Sequence, residues 1–263
     1  GPDVTTQDLK PAGKENPSNV SVYEIVLSGV SGSPLERNIS VASPTKVELS
    51  CKLDKNSQIK NPQVTWKKGS DTISHTTKSE NSWSIQVTIL DSSQLGSYSC
   101  ILKGKQEISA VFHLQVPKIE GKDKPIITYE GDAAVMVCKT DYIPIAWTWY
   151  MTNGSKQVAI NDSMPAKKYV INRQSANATR LKVLQLTKED GGLYWCEATF
   201  QLGKSKGKLE LKVLSIMAPL KPFVAIVAEV VIFVTTIFLY EWYSKKKEKR
   251  AGDEREFDQI ERL

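Results

Sequence analysis

The sequence predicts an all-β fold for most of its length, two tandem β-sandwiches, with one apolar helix after them. Three observations lead there. Short runs in which apolar and polar residues alternate recur from about Val22 to Val116 and again from about Ala134 to Val213, the pattern of strands with one buried face. Four cysteines fall as two widely spaced pairs, one pair in each run. Finally, the 18 residues Phe223 to Tyr240 contain a single ionisable side chain, Glu229.

Residues 1–20 are polar and interrupted by Pro2, Pro11 and Pro17, which reads as a flexible lead-in. The first domain is expected over 21–117. In it Val47, Leu49, Cys51 and Leu53 point one way while Glu48, Ser50 and Lys52 point the other. The same alternation returns in Val64 and Trp66, in Ile85, Val87 and Ile89, in Tyr98, Cys100 and Leu102, and in Phe112, Leu114 and Val116. These runs predict half-buried antiparallel strands. A charged linker is expected over 118–124, and a second domain over 125–215. Its runs are Ala134, Met136 and Cys138; Trp147 and Trp149; Leu181 and Val183; Tyr194 and Cys196; and Leu209, Leu211 and Val213. Neither half sustains a helical period. A transmembrane helix is expected over 219–243 and a cytoplasmic tail over 244–263.

The cysteines sit in a repeated setting. Cys51 is followed by Trp66 and then by Leu95-Gly96-Ser97-Tyr98-Ser99-Cys100; Cys138 is followed by Trp149 and then by Asp190-Gly191-Gly192-Leu193-Tyr194-Trp195-Cys196. In both, a tyrosine stands two residues before the second cysteine, where a tyrosine corner ties a turn to the backbone. Upstream, Ile85-x-Val87-x-x-Leu90 and Leu181-x-Val183-x-x-Leu186 lie at matching distances from their cysteines. On these residues each half resembles the immunoglobulin superfamily. The resemblance implies two immunoglobulin-like sandwiches of the C2/I-set type, pinned by Cys51–Cys100 and Cys138–Cys196 disulfides. The separations of 49 and 58 residues suit these shorter sets. Each bridge would be worth roughly 4 kcal/mol by loop entropy. Trp149 rather than Trp147 is the expected core tryptophan, and Gln94, standing where the second half has Asp190, predicts a first corner without an ion pair.

Charge and composition narrow the function. The net charge is +6, and no basic cluster is interleaved with stacking aromatics, so nucleic acid is not implied. Acidic glycans could meet the mildly basic N-terminal part, although ordinary solvated surface explains it. Two histidines, His75 and His113, and no Cys-x-x-Cys pair leave no metal cluster, cofactor site or nucleophile–base pair, so an enzyme is not expected. Asp91, Glu189 and Asp190 have structural explanations as corner residues. Five Asn-x-Ser/Thr sequons, at Asn19, Asn38, Asn153, Asn161 and Asn177, all precede the apolar stretch. They predict an exported N-terminal part, and hence a signal peptide already removed.

The apolar stretch is long enough to span a bilayer. Tyr240, Trp242 and Tyr243 then suit an interfacial belt, and Lys245, Lys246, Lys247, Lys249 and Arg250 follow. Positive charge stays on the cytoplasmic side, so the chain is expected to be a single-pass plasma-membrane protein with its N-terminus outside. The basic run reads first as a stop-transfer anchor, with acidic lipid headgroups as an additional partner. Glu229 is costly in hydrocarbon, by a few kcal/mol even on the mildest scale. At 100° per residue Ala225, Ala228, Glu229, Ile232, Thr235 and Thr236 share an arc of about 120°, opposite a bulky apolar face. Small and polar residues on one side predict protein packing there and lipid on the other.

Pro222-Phe223-Val224-Ala225-Ile226-Val227-Ala228-Glu229-Val230, then Ile237-Phe238-Leu239-Tyr240-Glu241 and the lysine cluster, resemble the membrane segment of the basigin, neuroplastin and embigin family. The resemblance implies an ancillary subunit of a polytopic transporter, of the proton-coupled monocarboxylate class, with the small face as the packing face. It implies cell adhesion as a second role, through integrins, matrix or homophilic contact. The mixed-charge tail beyond Asp253 reads as solvated, with a short partner-bound helix as the alternative.

Overall fold

The computed structural model describes residues 20–29, 32–161 and 167–262. The lead-in through Asn19, Ser163 of the Asn161 sequon, and Leu263 lie outside the described residues. The chain divides at Val213 into a β-rich unit and a helical one.

The β-rich unit holds two sandwiches, as the alternating runs require. In the first, one sheet has the order β1 (Val20–Leu27), β3 (Thr45–Leu53), β7 (Ser82–Ile89) and β6 (Thr77–Ser79). The facing sheet is β2 (Leu35–Ser40), β9 (Glu107–Gln115), β8 (Gly96–Lys103), β4 (Gln63–Lys68) and β5 (Asp71–Ile73). The pairing is not antiparallel throughout. β1 runs parallel to β3, with Leu27 beside Leu53, and β2 runs parallel to β9. The N-terminal segment thus supplies an edge strand to each sheet, and the Asp54 amide donates to the Leu27 carbonyl at 2.9 Å to fasten the first. Between the sheets Leu49, Cys51, Trp66, Ile89, Cys100, Leu102 and Phe112 are fully buried, and the Trp66 and Phe112 rings stack with centroids 6.0 Å apart.

In the second sandwich a five-stranded sheet, β10 (Ile126–Tyr129), β17 (Gly203–Leu214), β16 (Gly192–Phe200), β12 (Ala146–Asn153) and β13 (Lys156–Ile160), faces a three-stranded one. That smaller sheet is β11 (Ala134–Lys139), β15 (Ala178–Val183) and β14 (Tyr169–Ser175). Met136, Cys138, Trp149, Leu181, Val183, Cys196 and Leu209 fill the space between, all at 0% exposure.

The stretch expected as a linker, 118–124, is partly built into the second sandwich. Glu120 bridges antiparallel to Lys139, and Ile119 packs over Gly207. A Cβ at Gly207 would stand 2.7 Å from Ile119 and 3.0 Å from the Cys196 sulfur, so this strand position has room for nothing larger than glycine. Leu202, in the turn between β16 and β17, is 3% exposed and joins the core cluster of the first sandwich. The two sandwiches therefore meet through apolar packing.

From Val213 the second unit leads into α1 (Met217–Glu261), one helix of 45 residues. It outruns the predicted span and takes in the tail. Lys, Glu, Arg, Ala and Gln dominate that tail, and Lys249 and Asp253, Arg250 and Glu254, and Asp258 and Arg262 stand four apart with opposite signs. Such residues continue a helix without a core to bury.

Candidate functional site

The helix carries the expected packing residues. Leu220 begins a stretch long and apolar enough to cross a membrane. Ala225, Ala228, Glu229, Ile232, Thr235 and Thr236 all lie within α1 and are exposed. Thr235 donates its hydroxyl proton to the Val231 carbonyl at 2.7 Å, and Thr236 to that of Ile232 at 2.7 Å. Each threonine is thus satisfied within its own helix, one turn back. Glu229, exposed on the same arc, is the remaining polar side chain among these six.

The cysteines divide. Cys138 and Cys196 form a disulfide with their Cα atoms 6.5 Å apart, and Trp149 pairs in register with Cys196. Cys51 and Cys100 occupy the same positions in the first sandwich and are fully buried, but here they are thiols in hydrogen-bonding contact. The bond expected between them is not formed in this structure. Burial, and then Cys51 itself, push the Cys100 thiol well above the ordinary thiol range. A buried thiol of that kind is a poor nucleophile.

Both tyrosine corners are present. Tyr98 donates to the Gln94 carbonyl at 2.6 Å, and Tyr194 donates to the Asp190 carbonyl at 2.6 Å. The second corner adds an ion pair, Lys168 Nζ to Asp190 Oδ2 at 2.5 Å. The first closes with Gln94 Oε1, which accepts from the Leu90 and Asp91 amides at 2.9 and 2.8 Å. Asp91 caps Ser93, whose side-chain and backbone hydrogen bonds hold that carboxyl below the usual range. His113, expected to face outward, is half-exposed and lies 2.8 Å from Ser97 Oγ.

Of the sequon asparagines, Asn38, Asn153 and Asn161 are exposed. Asn38 also lines a cleft of about 180 Å³ between the sandwiches, with Pro117, Lys118 and Tyr142. Asn177 is half-buried, and its amide nitrogen donates to the Thr140 carbonyl at 2.9 Å. The threonine of its sequon, Thr179, is 1% exposed and accepts from the Trp149 indole at 3.0 Å.

One polar cluster has no counterpart in the sequence reading. Glu197, only 6% exposed, accepts from the Tyr150 hydroxyl at 3.3 Å and pairs with Lys204 and Lys206 at 3.7 and 3.8 Å. Lys206 also lies over the Tyr150 ring, 4.7 Å from its centre, and donates to Gln157 Oε1 at 2.6 Å. Strands β12, β13, β16 and β17 bring these five side chains together from four separate stretches of chain. The lysines compensate a carboxylate that burial would otherwise penalise. Among the described residues no group of three or more His, Cys, Asp or Glu side chains is placed to hold a metal ion.

Comparison with known proteins places this geometry. Residues 117–213 match the immunoglobulin I-set domain. Human embigin is 41% identical over 265 residues, covering 98% of this chain and 80% of its own. The chain belongs to the embigin and basigin family. Human basigin matches at 30% identity, covering 61% of this chain and 42% of basigin. The I-band fragment I67–I69 from titin aligns with a TM-score of 0.33 and 18% identity, covering 68% of this chain and 62% of that one. As an embigin and basigin family member with one apolar C-terminal helix, the chain is a single-pass immunoglobulin-superfamily membrane protein. Within that family the higher identity and fuller coverage place the chain with embigin.

Proposed function

We propose that this chain is a non-enzymatic ancillary subunit of a polytopic transporter, of the proton-coupled monocarboxylate class, which it stabilises and delivers to the plasma membrane. One observation carries the reading. Glu229 lies in the apolar part of α1 on an arc with Ala225, Ala228 and Ile232, while Thr235 and Thr236 are satisfied internally. A carboxyl group in hydrocarbon costs about 3 kcal/mol, and a neighbouring transmembrane helix with a polar partner removes that cost. The two alanines let such a helix approach closely. The lysine run after Tyr243 puts the C-terminus in the cytoplasm and the sandwiches outside. The immunoglobulin domain adjoining the helix in sequence then meets the carrier's outer face, while the transport chemistry stays in the carrier.

Glu229→Leu, and separately Ala225→Leu with Ala228→Leu, should reduce co-purification of the carrier in mild detergent at least about fivefold, equivalent to about 1 kcal/mol. Surface delivery of the carrier should fall with it. Undiminished recovery with both variants would overturn the proposal.

The second reading is an adhesion receptor acting through its immunoglobulin domains on integrins, matrix or a second copy of itself. The exposed outer faces of the two sandwiches favour it. Expressing residues 1–215 without the helix separates the two: adhesion by that fragment supports the receptor, whereas activity confined to the helix-bearing chain supports the ancillary subunit.

A further inference from the structure

The basic run beyond the membrane stretch has a property that only the helix reveals. We propose that Lys245, Lys246, Lys247, Lys249 and Arg250 form a collar that binds the headgroups of anionic phospholipids, and that the unbroken helix keeps the far acidic end of the chain from folding back onto it.

At 100° per residue the five cations spread over about 200° of the helix circumference, with Glu248 on the remaining arc. From Lys245 to Arg250 the rise is about 7.5 Å, so all five lie within one Debye length, about 8 Å, of a common plane. All are exposed. Lys246 fixes the depth of that plane, because its Nζ lies 5.0 Å from the centre of the Trp242 ring. Indole rings settle at the headgroup level of a bilayer, so the ammonium group above this one is placed where lipid phosphates and carboxylates are.

Beyond Arg250 the sign reverses. Asp253, Glu254, Glu256, Asp258 and Glu261 outnumber Arg255 and Arg262. In a flexible tail these acids would fold back onto the lysines. Here α1 continues unbroken to Glu261. Asp258 stands about 16 Å along the axis from Lys247, two Debye lengths away. Asp253 and Glu254 face Lys249 and Arg250 one turn away, but every acid beyond the collar lies more than one Debye length along the axis from Lys245, Lys246 and Lys247. Those three lysines therefore keep their charge towards the lipid, and the anionic leaflet repels the helix end rather than drawing it down. The lysines act as compact point charges, suited to phosphate and carboxylate groups of any anionic lipid rather than to one headgroup.

The test uses Trp242, which is the only one of the six tryptophans on the C-terminal side of Trp195. The full chain is placed in phosphatidylcholine nanodiscs containing about 20 mol% of brominated phosphatidylserine or brominated phosphatidylcholine, a level typical of an anionic leaflet. Bromine in the bilayer quenches the membrane tryptophan and leaves those in the sandwiches alone. The expected result is an enrichment of phosphatidylserine over phosphatidylcholine around Trp242 of about threefold at about 0.1 M salt. It should vanish at high salt and in the variant Lys245→Gln, Lys246→Gln, Lys247→Gln, Lys249→Gln, Arg250→Gln. Ala251→Pro, which breaks the helix between collar and acids, should lower the enrichment at unchanged composition. Equal quenching by the two lipids, or enrichment that survives neutralisation of the five cations, would overturn the collar; enrichment indifferent to Ala251→Pro would overturn the role of the unbroken helix. Nanodiscs expose both leaflets, so the result does not depend on topology. The cytoplasmic placement of the tail is tested separately, by protection from protease added to intact cells.

Discussion

The two sandwiches share one plan and close it with different chemistry. Trp66 and Trp149 are both at 0% exposure, and both corner tyrosines donate at 2.6 Å. Yet the Trp149 indole N–H reaches Thr179 at 3.0 Å, while that of Trp66 is buried without a hydrogen-bond partner. Register explains the difference. The residue opposite Cys138 is Thr179, and the residue opposite Cys51 is Trp83. A threonine hydroxyl accepts a hydrogen bond, whereas an indole offers no acceptor. The second sandwich also has a formed disulfide and the Lys168–Asp190 ion pair, where the first has facing thiols and an uncharged glutamine cap. Apolar burial is therefore the common ground of the architecture, and polar closure is solved locally in each copy.

The largest effect expected from breaking this comparison comes from the cysteines. Cys138→Ser should lower the stability of the second sandwich by about 4 kcal/mol. We propose that Cys51 and Cys100 are also joined when the chain is exported, because disulfides persist in that compartment. Cys51→Ser should then cost the first sandwich a similar amount, and the intact chain should release four thiols on reduction, not two. A cost near 1 kcal/mol, with two alkylatable thiols in the unfolded but unreduced protein, would show that the two copies differ in kind. Since both cysteines are fully buried, out of reach of an oxidant, the bond is expected to form before the core closes. Reduced protein should consequently reoxidise at this pair only when partly unfolded.

Next in size is the indole. Thr179→Val leaves Trp149 in the position of Trp66, with a buried unpaired donor, and should cost the second sandwich about 1–3 kcal/mol by urea unfolding. Because the change also removes a sequon, the comparison is made on protein freed of N-glycans, with Thr179→Ser, which keeps the hydroxyl, as the control. In parallel, Trp149→Phe should cost about 1 kcal/mol more than Trp66→Phe, since only the former abandons a made hydrogen bond. Equal costs would mean that a bound water serves Trp66.

These contrasts also mark what could be read in advance. Period-two alternation exposes which residues are buried, so Cys51, Trp66, Trp149 and the corner tyrosines are legible from spacing alone. It is blind to strand direction, because reversing a strand leaves the alternation intact, and the parallel seating of β1 beside β3 was hidden for that reason. Glu197 was invisible on other grounds. Its partners Tyr150, Gln157, Lys204 and Lys206 become neighbours only once four strands are in register. Ile119 and Gly207 hide similarly, since a charged stretch gives no hint that its one isoleucine packs over a glycine of the second sandwich. On the helix, the arc bearing Glu229 follows from the 100° rotation, but that Thr235 and Thr236 turn their hydroxyls back on the backbone is a matter of rotamer.

The smallest expected effect, and the finest comparison of the two copies, is alkaline. Burial raises the Tyr98 phenol above its ordinary value; burial, then Tyr169 and Asp190, raise that of Tyr194 further. An unfolded tyrosine titrates near pH 10. A folded value above that means the native state holds its proton longer, so the stability due to each corner is complete below about pH 10 and drains away as pH rises through the folded value. Both sandwiches should weaken above that point, and the second should go on weakening over the wider range, because Tyr194 sits closer to negative charge. Tyr98→Phe and Tyr194→Phe should each cost about 1 kcal/mol near neutral pH, from the lost bond to the carbonyl of Gln94 or Asp190. Each should flatten the alkaline slope of its own sandwich, with the larger change for Tyr194→Phe. Slopes that are alike in the two sandwiches would show that Tyr169 and Asp190 do not act on the second corner. Further removing the charge with Asp190→Asn should bring the alkaline slope of the second sandwich towards that of the first, because the phenolate then forms without a carboxylate beside it.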